Sequence, residues 1–178
     1  MSLHQRISYE ESCCKLRELG YIEERVNPPF PLRMPRYDDE GSLGIRFFRA
    51  RLVEEKLDRL TLPRTFFGRS EICAVSFRET NLSESSANWN GFFDVDFTMS
   101  NLSDCDFRAC VFERVCFAHA LLHVVDFRWC TFTDCNFAGA EMSGVKLTKE
   151  TVASLGLSTE QRSAIDIHES DGDEPTGG

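Results

Sequence analysis

One recurrence constrains this chain more than any other property. Between Thr65 and Thr148 a large apolar residue returns at every fifth position without a register slip. From Phe67 the series runs through Ile72, Phe77, Leu82, Ala87, Phe92, Phe97, Leu102, Phe107, Phe112, Phe117, Leu122, Phe127, Phe132, Phe137, Met142 and Leu147, and only Ala87 is small. Two positions before each centre stands a small or β-branched residue, among them Thr65, Ser70, Val75, Asn90, Ser100, Cys105, Cys110, Cys130 and Cys135. A helix repeats about every 3.6 residues and a strand about every 2, so a period of five belongs to neither. A period of twenty lies over the first: Phe77, Phe97, Phe117 and Phe137 form one column, and Leu82, Leu102, Leu122 and Met142 the next. Five residues per side and four sides per turn meet both periods, with like residues stacked on like. Such units bury a core only against their neighbours.

Segments such as Thr80-Asn81-Leu82-Ser83-Glu84, Ser100-Asn101-Leu102-Ser103-Asp104 and Cys135-Asn136-Phe137-Ala138-Gly139 resemble pentapeptide repeats, A(D/N)LXX in their loose consensus. The resemblance covers about half the chain and points to a family best represented in bacteria. It implies an all-β solenoid, a right-handed quadrilateral β-helix, here of about four coils over residues 65–148. It does not imply one function, because fold and function separate. The departures are a phenylalanine-rich centre column and Cys or Val in place of many consensus alanines, which predict a slightly wider, well-filled coil.

The flanking segments read differently. Residues 1–64 are expected to form an N-terminal arm or cap. Within it, residues 8–20 pattern as a short helix capped by Ser8, with Tyr9, Cys13, Leu16 and Leu19 on its apolar face and Gly20 as its stop. Prolines 28, 29, 31 and 35 then break regular structure, and Asp38–Ser42 reads as an exposed acidic turn. Val53–Leu60 suits a helical turn, yet Phe47, Leu52, Leu57 and Leu62 keep the five-residue register, which favours a degenerate first coil. Residues 149–165 predict two capping helices, one begun by Thr148 and one by the Ser158/Gln161 capping box. Asp166–Gly178 holds five acids and no Lys or Arg, and is expected to be a disordered acidic tail. At Asn90-Gly91, where the centre shrinks to Ala87, a bulge or widened corner is expected.

Charge and cysteine usage bound the function. A formal charge of -9 disfavours direct nucleic-acid binding. No long apolar run and no basic-then-apolar leader is visible, so the expectation is a cytoplasmic protein without a membrane partner. Of eight cysteines, Cys105, Cys110, Cys130 and Cys135 fall in the small inward column as compact apolar residues, while Cys13, Cys14, Cys73 and Cys116 are the more oxidisable set. No zinc spacing occurs. His4, His119, His123 and His168 have no partner at ligand spacing. Neither a cofactor nor a metal nor a catalytic constellation is expected, and the chain reads as a non-enzyme.

Interaction remains. Asn88-Trp89, Arg108-Ala109 and Arg128-Trp129 occupy equivalent outward places on successive coils, and Trp and Arg are enriched at binding hot spots. With Phe93 they are the candidate partner-binding residues; Asp106 and Asp126 are the expected ion-pair partners of the two arginines. The leading reading is a non-catalytic protein-binding module, a bacterial immunity- or antitoxin-like or regulatory partner, monomeric or an end-to-end homodimer. The resemblance implies an alternative, a DNA mimic that protects a type II topoisomerase, although four coils are short for that and arginines interrupt the acidic surface. A structural protein with no specific activity is the third reading. Arg33 and Arg36, in the arm, suit an anion.

Overall fold

The computed structural model describes residues 5–36 and 44–169. Asp38–Ser42, read as an acidic turn, and residues 170–178 of the acidic tail lie outside the described residues. Helix α1 (Tyr9–Glu18) opens the chain. Strands β1 (Arg46–Phe48), β2 (Arg51–Val53), β3 (Phe66–Gly68), β4 (Glu71–Cys73), β5 (Gly91–Phe93), β6 (Val111–Glu113), β7 (Thr131–Thr133) and β8 (Lys146–Thr148) follow. Helices α2 (Lys149–Ser154) and α3 (Thr159–Ala164) and strand β9 (Asp166–His168) close it.

All strand pairs are parallel and offset by twenty residues, as in Ile72↔Phe92 and Phe92↔Phe112. Isolated bridges such as Ser76↔Asp96 and Asn81↔Asn101 continue the same offset on the other sides. The result is a right-handed quadrilateral β-helix of about six turns, not four. The stack already begins near Ile45, because β1 pairs with β3 and β2 with β4. We call the side carrying β1 and β3 the first side and the one carrying β2, β4, β5, β6 and β7 the second.

The square section has a backbone cause. Every fifth residue from Arg49 to Gly144 has positive φ, and the non-glycine members lie between 49° and 61°. Each left-handed residue turns the chain through one corner, and most donate their N–H to the next coil, as Glu79 does to Thr98 (3.0 Å) and Asp104 to His123 (2.8 Å). A non-glycine residue there costs about 1–2 kcal/mol. Val124, β-branched at φ 58°, is the most strained of the set.

The centres fill the interior. Phe77, Phe97, Phe117 and Phe137 stack with ring centroids 5.4, 5.5 and 4.8 Å apart, and Phe92, Phe112 and Phe132 stack 5.0 and 5.1 Å apart. Between columns the rings meet edge to face, Phe112 on Phe127 at 5.6 Å and 89°. Phe132, on the last full coil, is only partly buried.

The small inward column does more than fill space. Thr80 Oγ1, Asn90 Nδ2, Cys105 Sγ, Cys110 Sγ and Cys130 Sγ each donate to the carbonyl of a centre on the preceding coil, at 2.5, 2.7, 3.0, 2.8 and 2.9 Å. The cysteines are thus hydrogen-bond donors as well as apolar filler, and burial pushes the thiols of Cys105 and Cys130 up. All eight cysteines are free thiols.

Asn90 also explains why no bulge forms. Its Oδ1 accepts from Ser70 N at 2.7 Å, and β5 keeps the offset of twenty with both neighbours. Gly91 leaves room for the ring of Phe93, whose edge lies 2.5 Å from where a Cβ would stand.

Both ends are covered. Ser8 and Glu11 form the capping box of α1, whose Tyr9, Cys13 and Leu16 join the core, while Ser12 Oγ accepts from Thr61 N at 2.9 Å. Leu19, placed on the apolar face by sequence, is 40% exposed. At the other end Thr148 caps α2, and the Ser158/Gln161 box caps α3. Gln161 Nε2 donates to the carbonyls of Phe137 (2.7 Å) and Ala140 (3.1 Å). Asp166–His168, expected to begin a disordered tail, pairs with β8 instead, since backbone pairing on a free coil edge does not depend on side-chain hydrophobicity.

Two outcomes test this construction. Phe107 stacks on Phe127 (5.5 Å) and meets Phe92 and Phe112 edge-on (both 5.6 Å), so Phe107→Ala should destabilise the chain by about 3–5 kcal/mol, read from guanidinium unfolding. The second concerns acid. Hydrogen bonds from Arg114 hold Asp94 below the ordinary carboxylate range; burial pushes Asp96 up, but bonds from Thr98 and Arg78 outweigh it and leave it lowered. A carboxylate with a depressed folded pKa stabilises the fold above its unfolded value of about 3.9, and that stability is lost as pH falls through the lower folded value. Asp96→Asn should therefore flatten the acid limb of stability against pH, measured by denaturation midpoints.

Candidate functional site

The outward positions of the first side build the candidate surface. Because residues offset by twenty stack, Ser86, Asp106 and Asp126 form one outward column and Asn88, Arg108 and Arg128 the neighbouring one. The corner after them carries Arg49, Arg69, Trp89, Ala109 and Trp129, all with positive φ. A left-handed corner residue projects its side chain away from the coil, which is how a tryptophan comes to be displayed.

Trp89 is 45% exposed. Trp129 is half-buried, with the Arg128 guanidinium 5.0 Å from its ring centroid in a cation–π arrangement. Ala109 separates the tryptophans by one rung each way, which places their backbones roughly 10 Å apart at the strand spacing. Arg108 Nε and Nη2 donate to Asp106 at 2.9 and 2.8 Å, and Arg128 makes the same pair with Asp126 at 3.0 and 2.8 Å. These bonds raise the pKa of both guanidiniums, so both arginines stay charged.

The remaining candidates are placed differently. Asn88 is 6% exposed; its Nδ2 donates to Asp106 Oδ2 at 3.1 Å and its Oδ1 accepts from Ser86 Oγ at 3.2 Å. It orients Asp106 rather than meeting solvent. Phe93 is half-buried and lies around the corner on the second side, in β5. Trp89, Arg108, Arg128 and Trp129 are the residues brought together.

Sequence reasoning treated the arm separately, but the structure sets it on the same side. Residues 33–36 form a strap facing Ser86, Asn88, Asp106 and Arg108 across a cleft of about 370 Å³. The strap is moored by Arg64, whose Nη1 donates to Pro31 O at 2.8 Å while Nε and Nη2 hold Glu84 at 2.9 and 3.0 Å. Proline-broken sequence carries no periodicity, so only the Arg33/Arg36 pair hinted at this placement.

Histidine chemistry is dispersed. His119 is exposed, His123 Nε2 is 3.2 Å from Glu141, and His168 Nε2 is 3.2 Å from Asp166. Among the described residues no three His, Cys, Asp or Glu side chains converge on a metal-sized site, and no helix is long and apolar enough to cross a membrane.

The sequence model described as Pentapeptide repeats matches residues 92–128 and 117–148, within the stack just described. Residues 92–148 carry pentapeptide repeats. No curated protein sequence matches it. Solved structures similar to this chain include a pentapeptide-repeat protein from the thylakoid lumen of Arabidopsis thaliana, 22% identical, covering 66% of this chain and 72% of that one at a TM-score of 0.43. HetL, a pentapeptide-repeat protein involved in heterocyst differentiation regulation in the cyanobacterium Nostoc sp. strain PCC 7120, is 14% identical, with 57% and 59% covered and a TM-score of 0.25. QnrB1, a plasmid-mediated fluoroquinolone resistance protein, is 18% identical, with 58% and 63% covered and a TM-score of 0.24.

The mooring of the strap is testable. Arg64→Ala removes the Pro31 and Glu84 bonds together, so limited proteolysis should cut within residues 30–36 faster than in the wild type, with the far-UV circular dichroism spectrum unchanged. Equal cleavage rates would place the mooring elsewhere.

Proposed function

We propose that this chain is a non-catalytic protein-binding module whose contact surface is the first side, centred on Trp89 and Trp129. The observation that carries the reading is the display of two tryptophans on one corner column, beside arginines held flat by Asp106 and Asp126. The core does not need either indole, since Ala109 occupies the rung between them in the same left-handed conformation. Exposed aromatic anchors with pre-ordered guanidiniums are what a hot spot requires. A cytoplasmic partner, of the immunity or antitoxin-target kind or a regulated enzyme, fits eight unpaired thiols. A topoisomerase-directed DNA mimic fits less well, because Arg108 and Arg128 neutralise Asp106 and Asp126 within the side that would have to imitate a phosphate row.

Ala109 also makes the test clean. Trp89→Ala/Trp129→Ala should keep the wild-type unfolding midpoint and spectrum while losing capture of the bound protein from native lysate. A double variant that retains its partner would sink the proposed surface, whether that partner were a toxin or a topoisomerase subunit.

A further inference from the structure

The second side of the stack stops one strand short of the first. On the first side the pairing runs on through β8 and β9. On the second, β7 pairs only with β6, and the residues twenty further on, 151–153, lie in helix α2. A strand with one neighbour leaves a row of backbone groups unpaired. One rung below, Cys110 O accepts from Thr131 N at 3.1 Å and Arg114 N donates to Thr133 O at 2.8 Å. The equivalent Cys130 O and Asp134 N–H make no backbone bond among the described residues.

The side chain at the middle of β7 is uncovered to match. Ile72, Phe92 and Phe112, in the same column, are 1% exposed or less, each covered by the residue of the next coil. Phe132 has Phe112 stacked on it at 5.1 Å and is only partly buried. Helix α2 does not supply the missing layer, since it packs chiefly against β8 and β9. Between it and β7 lies a cleft of about 360 Å³, lined by Cys130, Thr131, Phe132, Glu150, Thr151 and Ser154.

We propose that this open rung takes an extended peptide segment of a partner protein, added as a strand to β7, with a large apolar residue at its centre and a basic residue beside it. Backbone bonds to a sheet edge supply the pairing, and pockets for alternate side chains supply the specificity. A residue added opposite Phe132 points inward onto its ring, while its two neighbours point outward with Thr131 and Thr133. Charge sets the flank. Glu150 is the one acid lining the cleft, Asp134 follows β7 at the corner, and neither has an ion-pair partner among the described residues. Lys149, beside Glu150 in the chain, does not line the cleft. The chain's own residues 170–178 do not suit the place, with three acids, no Lys or Arg and no large apolar residue. The rung begins directly after Trp129 and so continues the surface proposed above. That continuity rests on the earlier reading; the free edge and the cleft do not.

Titration of the isotope-labelled full chain with the peptide acetyl-Lys-Thr-Phe-Thr-Lys-amide, followed by amide chemical shifts, tests the proposal. Saturable binding is expected, with the largest shifts over Cys130–Asp134 and α2. Replacing the peptide's Phe by Ala, its two Lys by Glu, or methylating its three central backbone nitrogens should each weaken binding roughly tenfold or more. Ser154→Tyr, which fills the cleft from an exposed helix position, should abolish binding with an unchanged circular dichroism spectrum. The peptide series alone decides the matter if that variant does not fold. Absence of saturable binding, affinity indifferent to the Phe or to methylation, or shifts centred elsewhere would overturn the proposal. Sedimentation of the free chain as a dimer that Ser154→Tyr dissociates would overturn it too, since a second copy would then hold the edge. Partner capture lost in Trp89→Ala/Trp129→Ala with peptide shifts at Phe132 retained, or the reverse, separates failure of one reading from failure of the other.

Discussion

The hydrogen bond that most corner residues donate to the next coil is the interaction on which the rest depends. Eighteen non-glycine residues are held in the left-handed region, a conformation that L-amino acids avoid when isolated. No single turn can sustain that strain. It is offset only when coils are stacked, because most strained residues then place their N–H on a carbonyl of the neighbouring coil while the centres pack on like residues in the core. Cooperation between coils is therefore a condition of the fold.

Much of this was legible in the residues. The phenylalanine column dictated the stacked rings, and the capping boxes at Ser8 and Ser158 dictated two of the helix starts. The length of the stack was underestimated because its first coil breaks the small-residue rule. The inward positions before Leu57 and Leu62 are Glu55 and Leu60, which obscures the register. Glu55 is tolerated because it stands beside the N-terminal end, where Tyr21 Oη donates to it at 2.8 Å and burial and Glu55 together push that phenol up to about 12. Asn90 misled in the opposite direction. It has the wrong shape for an apolar slot but the right donors, as its amide reaches the carbonyls of Phe67, Ala87 and Asn88.

The candidate surface was only half visible. Stacking by twenty located the tryptophans and arginines on one side, and the ion pairs followed from Asp106 and Asp126. Burial of Asn88 did not follow, since an asparagine after a centre reads as exposed until its two partners are in view. The strap was invisible for a different reason. Its position is set by Arg64 reaching a proline carbonyl more than thirty residues away, and no local pattern encodes such a contact.

The pairing of β8 with β9 keeps the same offset of twenty found throughout the stack, Lys146↔Asp166 and Leu147↔Ile167. Helices α2 and α3 therefore stand in for three sides of one turn, and the chain re-enters the lattice in phase after them. A terminator built this way is interchangeable: it fits any coil that presents a first side, whatever the number of turns beneath it. Gene duplication in units of twenty codons would lengthen the rod without redesigning its end, and the height at which Trp89, Trp129 and the strap stand could change independently of the closure.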